Sequence, residues 1–406
     1  MSTDPTAEVT LADIEAAREV LGDVTVRTPM ERSRWLSTAA GGDVHLKLEN
    51  LQRTGSFKTR GAYYRISRLT EAERANGVVA ASAGNHAQGV ALSASLLGIK
   101  STVFMPEGAP IPKIRATQGY GAEVVFYGQY LDQALVKARE FADRTGAVLI
   151  HPFDHVDIVA GQGTCGLEII EQVPDVHTVL VPTGGGGLLS GIAIAIKATR
   201  PDVRIVGVQA AGAAAYPPSL AGGHPIQLEH MRTIADGIAV GRPGDIPFHA
   251  VQQYVDEILT VSEDALSRAV LAVAERAKQV VEPAGAAGVA AMLDDPKRFG
   301  TPTVVVLSGG NIDPLLLGKV IRQGMAAAGR YLSMRVHIPD IPGGLATLLA
   351  ELAEVGANVI EVTHERNSPE LHFDEVEVLV QLETRGPEHS DVVIGRLRER
   401  RYEVFV

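Results

Sequence analysis

TVLVPTGGGGLLSGIA (Thr178–Ala193) joins a run of aliphatic and β-branched residues to four consecutive glycines, Gly184, Gly185, Gly186 and Gly187, and then to an apolar helical stretch. The run is continuous rather than alternating in polarity, as expected of a strand buried on both faces of a parallel sheet. Glycine tolerates tight backbone turns and lets another group approach closely. The N-terminus of the helix that follows presents free N–H groups and a partial positive charge, which together favour an anion such as phosphate. A tight turn that serves only the fold is the alternative reading of the same four residues.

Outward from this stretch the pattern repeats. Short apolar runs VHLKL (44–48), GVVAAS (77–82), STVFM (101–105), AEVVFY (122–127), AVLIH (147–151), RIVGVQ (204–209) and TVVVLS (303–308) alternate with amphipathic segments. This βαβ rhythm predicts an α/β protein with parallel sheets, and ligands in such sheets bind beyond the carboxyl ends of the strands. Thr10 to Asp13 form a capping-box start, and Ile14, Ala17 and Val20 follow at helical spacing until Gly22, so the first element is a helix. The segment RQGMAAAGR (322–330) reads as a boundary. Beyond it RYLSMRVHIP, the helical GLATLLAELAEVG, NVIEVTHER, the alternating FDEVEVLVQLET, a second helical stretch and YEVFV spell βαββαβ, a unit able to fold as one sheet with two helices on one face.

Composition narrows the chemistry. A chain of 406 residues exceeds the size at which single cores stop growing, so two or three domains are expected. Hydrophobic residues make up 46% and charged residues 21%, and no apolar run approaches the roughly 20 residues of a membrane-spanning helix. The opening MSTDPTAEVTLADIEAA is acidic and lacks the basic start and apolar core of a signal peptide, so a cytoplasmic protein is expected. The single cysteine, Cys165, excludes an intrachain disulfide and any multi-cysteine metal site. A formal charge of −11 offers no basic field to nucleic acid or anionic lipid, which leaves small-molecule chemistry.

Three further stretches carry chemistry-bearing residues. In KLENLQRTGSFKTRGAYYRI (47–66), Lys58 is flanked by Ser56, Phe57, Thr59, Arg60 and Gly61; alone, such a lysine is most simply a solvated helix residue. GVVAASAGNHAQGVA (77–91) places Ser82, Gly84, Asn85 and His86 between a strand and a helix, where backbone donors meet a ligand. TVVVLSGGNID (303–313) ends a strand at Ser308, on the same rim of loops. Two patterns mislead. GQGTCG (161–166) fits G-x-G-x-x-G, but no clean apolar strand precedes it and no acidic residue follows in the ribose-binding place, so a nicotinamide site is rejected. His151, His155, His224 and His230 lack the i, i+4 pairing plus acid of a zinc helix and read as structural or exposed.

SFKTRGA, SAGNHAQG, PTGGGGL and SGGN, in this order, resemble the pyridoxal-phosphate (PLP) enzymes of the tryptophan-synthase β fold type, and most closely the threonine dehydratases, also called threonine ammonia-lyases. The resemblance covers roughly residues 10–325. IPDIPGGLATL and GANVIEV in the last part of the chain resemble an ACT domain. The implied fold is α/β with two open twisted sheets and flanking helices (PLP fold type II), followed by an α+β βαββαβ ACT-like domain. The implied division is a large PLP-binding catalytic domain (1–55 and 157–325), a small catalytic domain (56–156) and an ACT-like regulatory domain (330–406). By the same resemblance Lys58 carries PLP as a Schiff base, Phe57 lies against the ring and Asn85 meets the ring hydroxyl. Gly184, Gly185, Gly186 and Gly187 with Leu188 cradle the phosphate, and Ser308 meets the pyridine nitrogen. Ser82, Gly84, Asn85 and His86 hold the substrate carboxylate, and Gly343, Gly344 and Asn358 stand where an effector binds. A serine at the ring nitrogen does not protonate it as a carboxylate would, so elimination competes well with transamination.

The implied reaction removes water and then ammonia from L-threonine to give 2-oxobutanoate, and converts L-serine to pyruvate. The freed amine of Lys58 takes the α-proton, and the β-hydroxyl leaves with help from the cofactor phosphate. Two departures matter. Serine racemases carry a second serine where this chain has Ala83, so racemisation is not expected. Relatives that bind a divalent cation use acidic residues where this chain has Gln209 and Ala215, so no metal is expected. Glu282, in VVEPAGAAG, borders the cofactor pocket by resemblance or is structural. Competing readings are serine or hydroxyaspartate dehydration, β-replacement on the same fold, or a non-catalytic amino-acid sensor. The Ala83 and His86 loop favours hydroxy-amino-acid elimination, and the four intact motifs argue against a sensor. Isoleucine or valine is the expected effector, and a homodimer or homotetramer the expected assembly; a biosynthetic and a catabolic role both stay open.

Overall fold

The computed structural model describes residues 8–366 and 371–406; the first seven residues of the acidic opening lie outside the described residues. In chain order the strands are β1 (Met30–Arg32), β2 (Val44–Lys47), β3 (Val78–Ala81), β4 (Ser101–Met105), β5 (Glu123–Phe126), β6 (Val148–Leu149) and β7 (Thr178–Pro182). They continue with β8 (Arg204–Ala210), β9 (Glu257–Val261), β10 (Thr303–Val306), β11 (Tyr331–Pro339), β12 (Asn358–Glu365), β13 (Glu375–Glu383) and β14 (Glu403–Phe405). The chain divides into two compact units, Met1–Leu317 and Gly318–Val406.

The first unit holds two sheets. One runs β1-β2-β10-β7-β8-β9 and the other β5-β4-β3-β6. Apart from the antiparallel β1–β2 pair, every pairing in both is parallel. All residues of β3, β4, β7 and β10 are buried, which accounts for their unbroken apolar runs. Val179, Val181, Val304 and Val306 of the larger sheet pack with Leu189, Ile192 and Ile196 of the helix Gly187–Lys197. Each fully buried side chain of this kind contributes about 1.5–3 kcal/mol. The expected N-terminal capping box is present: Thr10 Oγ1 accepts from the Asp13 N–H at 3.3 Å while Asp13 Oδ2 accepts from the Thr10 N–H at 2.9 Å, and the helix runs Leu11–Leu21. Strands β1 and β9, at the two edges of the larger sheet, are additions to the eight runs read from the sequence.

GQGTCG lies inside the helix Val156–Gln172. A Cβ on Gly161 would stand 2.7 Å from the Arg60 carbonyl and Gly61 Cα, and one on Gly163 2.9 Å from the Gly191 carbonyl. These glycines let three helices cross at close range; they are packing residues.

In the second unit β12-β13-β11-β14 form an antiparallel sheet. With the helices Gly344–Glu354 and Pro387–Glu399 the order is βαββαβ. Met334, Val336 and Ile338 of β11 and Val376, Val378 and Val380 of β13 share one core with Leu348 and Leu352 of the first helix and Val393 and Leu397 of the second. Both helices therefore cover the same face, as period-2 alternation requires. Among the described residues no helix is long and apolar enough to cross a membrane.

Candidate active site

The four motifs meet at the carboxyl ends of the strands of the first unit. Ser56 forms an antiparallel bridge with Gly309. The Phe57 N–H donates to the Ser308 carbonyl at 3.2 Å, and the Gly310 N–H to the Gly55 carbonyl at 2.9 Å. These bonds fasten the entry to the helix Lys58–Ser67 onto the loop after β10. Lys58 Nζ donates to the Pro152 carbonyl at 2.8 Å and lies 5.1 Å from the centre of the Phe57 ring. Burial lowers its pKa to about 8, against an opposing pull from the Glu282 charge. A buried lysine so tuned has a neutral fraction near physiological pH, as a nucleophile or base must.

Residues 82–86 close β3 and open the helix Asn85–Leu96. Ser82 Oγ accepts from the Gly84 N–H at 3.1 Å, shaping the turn. His86 is buried, and its Nε2 donates to the Ile150 carbonyl at 2.7 Å. Burial, reinforced by the Lys58 charge, depresses its pKa to about 3, so the ring is neutral. The side chain is thus committed to the backbone after β6, and what His86 offers a ligand is its N–H in the first turn of the helix. Asn85 Nδ2 donates to Glu282 Oε1 at 2.6 Å, and Asn85 Oδ1 accepts from Asn311 Nδ2 at 2.8 Å.

The glycine loop leads from β7 into the helix Gly187–Lys197. Gly186 has φ +100°, a conformation that side-chain-bearing residues rarely adopt, and a Cβ there would collide with the Tyr216 hydroxyl. A Cβ on Gly185 would run into the Phe153 ring, and one on Gly187 would stand 2.9 Å from Phe153 Cβ. The Gly185 carbonyl accepts from the Gly244 N–H at 3.0 Å and from Tyr216 Oη at 3.3 Å. The loop is therefore held rigidly as bare backbone at a helix N-terminus, a cradle suited to a phosphate. Phe153, packed against it, follows Pro152, whose carbonyl receives Lys58, so adjacent residues tie the lysine to the cradle.

Under this site lies a buried charge cluster. Arg60 grips Glu49 with Nε at 2.8 Å and Nη2 at 2.9 Å, and its Nη1 reaches Glu168 at 2.7 Å. Lys47 Nζ reaches Glu168 at 2.5 Å and the Thr28 carbonyl at 2.9 Å. The cluster clamps the lysine-bearing helix to β2 and to the helix Val156–Gln172. Gln209 Oε1 accepts from the Tyr216 N–H at 2.9 Å, and Ala215 is buried. Among the described residues no three His, Cys, Asp or Glu side chains gather as a metal site would require.

In the second unit, a cavity of about 370 Å³ is lined by Ile338, Asp340, Ile341, Gly343, Leu345 and Arg366, among others. Gly343 lines it and Gly344 adjoins it. Asn358 stands at the opposite end of β12, where Nδ2 donates to Glu383 at 3.2 Å, and is not brought to the same place.

The chain matches the family of pyridoxal-phosphate dependent enzymes over residues 22–310. It belongs to that family. It is 45% identical to an L-threonine ammonia-lyase of Thermotoga maritima over 398 residues, 98% of this chain and 99% of the relative. A solved threonine deaminase from T.th. is 43% identical with a TM-score of 0.72, covering 75% of this chain and 99% of that one. Maize serine racemase is 34% identical with a TM-score of 0.74, covering 79% of this chain and 99% of its own. The cofactor is pyridoxal phosphate, and the residues present fit it: a lysine of lowered pKa, a Cβ-free phosphate cradle and a serine at a strand end. The sequence did not single out Pro152, Phe153 or Tyr216, and Asn311 stood in the SGGN motif without a role of its own. Pro152 acts through its carbonyl, which has no residue signature; Phe153 follows AVLIH closely and was findable only as part of the loop after a strand.

Proposed function

We propose that this protein is a cytoplasmic threonine ammonia-lyase that converts L-threonine to 2-oxobutanoate and ammonia, and L-serine to pyruvate. The observation that carries the proposal is the gathering of Lys58, Asn85, the Gly184–Gly187 loop and Ser308 at the carboxyl ends of the strands in a chain 45% identical to an L-threonine ammonia-lyase. Bound pyridoxal phosphate supplies an electron sink for the charge left at the substrate α-carbon. Lys58 would carry the cofactor, and its neutral amine would take the α-proton. Gly184 to Gly187 and Leu188 would bind the phosphate through N–H groups, and Phe57 and Ser308 would hold the ring. The N–H groups of residues 84–86, with Ser82, orient the substrate carboxylate at the helix N-terminus. Ala83 supplies no hydroxyl to return a proton from the opposite face, which separates this site from a racemase.

The deciding experiment is 2-oxobutanoate formation from L-threonine by the cofactor-loaded protein beside Lys58→Ala. Turnover that vanishes in the variant supports both the reaction and its base. A normal bound-cofactor spectrum without threonine turnover overturns the substrate assignment and moves it to serine, hydroxyaspartate or a β-replacement pair.

We further propose that residues 330–406 are an ACT-like regulatory domain, with catalytic domains 1–55 plus 157–325 and 56–156, in a homodimer or homotetramer. The cavity of the second unit supports this: Asp340 and Arg366, paired at 3.1 Å on its wall, match the ammonium and carboxylate of an amino acid. Ile338, Ile341 and Leu349 suit an aliphatic side chain such as that of isoleucine or valine. Isothermal titration with either amino acid gives binding heat if this holds; its absence overturns the effector role.

A further inference from the structure

Glu282 is buried against Asn85, yet the proposed chemistry gives it no task. Its Oε1 ends a directed chain of hydrogen bonds. Asn311 Nδ2 donates to the Thr54 carbonyl at 2.6 Å and to Asn85 Oδ1 at 2.8 Å, and Asn85 Nδ2 donates to Glu282 at 2.6 Å. A backbone carbonyl only accepts, so Asn311 must turn its nitrogen toward Thr54. Asn85 must then show its oxygen to Asn311 and its nitrogen to Glu282, and an ionised carboxylate is the acceptor that completes the run. Asn85 Nδ2 carries a second hydrogen beyond the one given to Glu282.

The packing leaves this arrangement no slack. A Cβ on Gly309 would stand 2.5 Å from Glu282 Oε1 and 3.0 Å from Asn85 Nδ2, and one on Gly237 3.3 Å from the same oxygen. The Glu282 N–H is itself tied to the Gly309 carbonyl at 3.1 Å. The charged groups facing the carboxylate are Asp236, Lys113 and Lys58, and Lys113 is paired with Asp236 at 2.6 Å. Burial, with Asp236 adding to it, pushes Glu282 up to about 7 against Lys113, Asn85 and Lys58. Around Lys58, His86 and His151 are held neutral, chiefly by burial, at about 3 and about 4, so Glu282 is the titrating group that bears on the lysine.

We propose that Glu282 is a positioning residue of the active site: it fixes the Asn85 amide with an N–H toward the cofactor's ring oxygen, and its negative charge acts on the Lys58 amine. This rests on the pyridoxal-phosphate reading of Lys58 and Asn85. Two variants separate the two effects. Glu282→Gln keeps an acceptor for Asn85 and loses the charge; Glu282→Leu loses both.

The first readout needs no cofactor: the pH dependence of amine labelling at Lys58 in the cofactor-free protein, followed by peptide mass spectrometry. Above pH 8, where Glu282 is ionised, Glu282→Gln is expected to shift the Lys58 labelling midpoint to lower pH. The second is cofactor affinity with the visible absorbance of the bound cofactor. Glu282→Leu is expected to weaken binding about tenfold, the loss of a hydrogen bond to a charged group, while Glu282→Gln binds nearly as tightly as the parent. Asn85→Ala added to Glu282→Leu should cost little more, because the two act as one unit. Unchanged Lys58 labelling in Glu282→Gln overturns the charge effect, and parental affinity in Glu282→Leu overturns the positioning. Failure of the parent protein to form a borohydride-reducible adduct at Lys58 would instead overturn the cofactor reading, and the labelling result would still stand or fall alone.

Discussion

Replacing Arg60 with methionine should destabilise the protein by about 3–5 kcal/mol, the range for removing one partner of a buried ion pair. Arg60 is 1% exposed, while Glu49 and Lys47 are 0% exposed, and the cluster balances two cations, Arg60 and Lys47, against two carboxylates, Glu49 and Glu168. In Arg60→Met, Glu49 keeps only neutral close donors such as Thr28 Oγ1 at 2.6 Å, so a carboxylate is stranded in the interior. Adding Glu49→Leu restores the balance at one cation and one carboxylate, and the double variant should recover most of the loss. The remainder reflects Thr28, left without its carboxylate partner at roughly 1 kcal/mol, whereas Thr164 keeps its bond to the Gly161 carbonyl at 2.7 Å.

Acid should test the same reasoning. In the parent, burial raises the Glu49 pKa but the Arg60 charge and hydrogen bond, with Lys47 and Thr28, bring it below its usual value. Its stabilising effect is therefore present at neutral pH and lost only as pH falls through that depressed value. Without Arg60, burial prevails and the folded carboxylate prefers its proton. The deficit of Arg60→Met should then be largest at neutral pH and shrink as pH approaches the ordinary glutamate range near about 4. Urea unfolding followed by circular dichroism at fixed, saturating cofactor measures both effects, since bound ligand adds to stability. A loss under about 1 kcal/mol, a double variant no better than the single, or a deficit that grows in acid would refute the stranded-charge argument.

Three other outcomes are expected. Gly185→Ala drives a methyl group into the Phe153 ring and should weaken pyridoxal-phosphate binding at least about tenfold in an absorbance titration, by displacing the backbone of the cradle. Ala83→Ser adds the hydroxyl that the resemblance assigns to serine racemases at this position, and D-serine should appear from L-serine in chiral chromatography; none would mean that Ala83 is not what excludes racemisation. Arg366→Ala removes one charge of the pair at 3.1 Å and should abolish the binding heat of isoleucine or valine while leaving threonine turnover without effector unchanged.

What was legible in the sequence follows from how local its cause is. Strands β3, β4, β7 and β10 are buried on both faces, and that burial writes itself as an unbroken apolar run. β11 and β13 alternate because one face meets two helices. β1 leaves no such trace because Met-Glu-Arg is a three-residue strand at an edge, with no inward-facing pattern to show. β9 is the other edge and only its last residue is buried, so EILTV passes for a helix fringe. The order of the larger sheet was not legible either. β10 lies between β2 and β7, a pairing across more than a hundred residues that no local signal encodes.

The site divides along the same line. The glycine loop, Lys58 and Ser308 stand out as candidates because each follows a strand closely or opens a helix, where backbone geometry restricts residue type. GQGTCG shows how far that inference reaches. Its glycines match a phosphate-binding spacing, yet they lie mid-helix, where a Cβ on Gly161 would meet Gly61 Cα at 2.7 Å. Glycine records a close approach; whether a ligand or a helix approaches depends on what precedes it in the chain. His86 follows the same logic in reverse. Its position at a helix start pointed to a ligand, but its imidazole is spent on the Ile150 carbonyl, which leaves only the N–H that every residue but proline carries for the proposed substrate contact. In the proposed site a position can serve a ligand while its side chain is structural, and Glu282 is the converse: a side chain hydrogen-bonded to Asn85 at a position with no local motif.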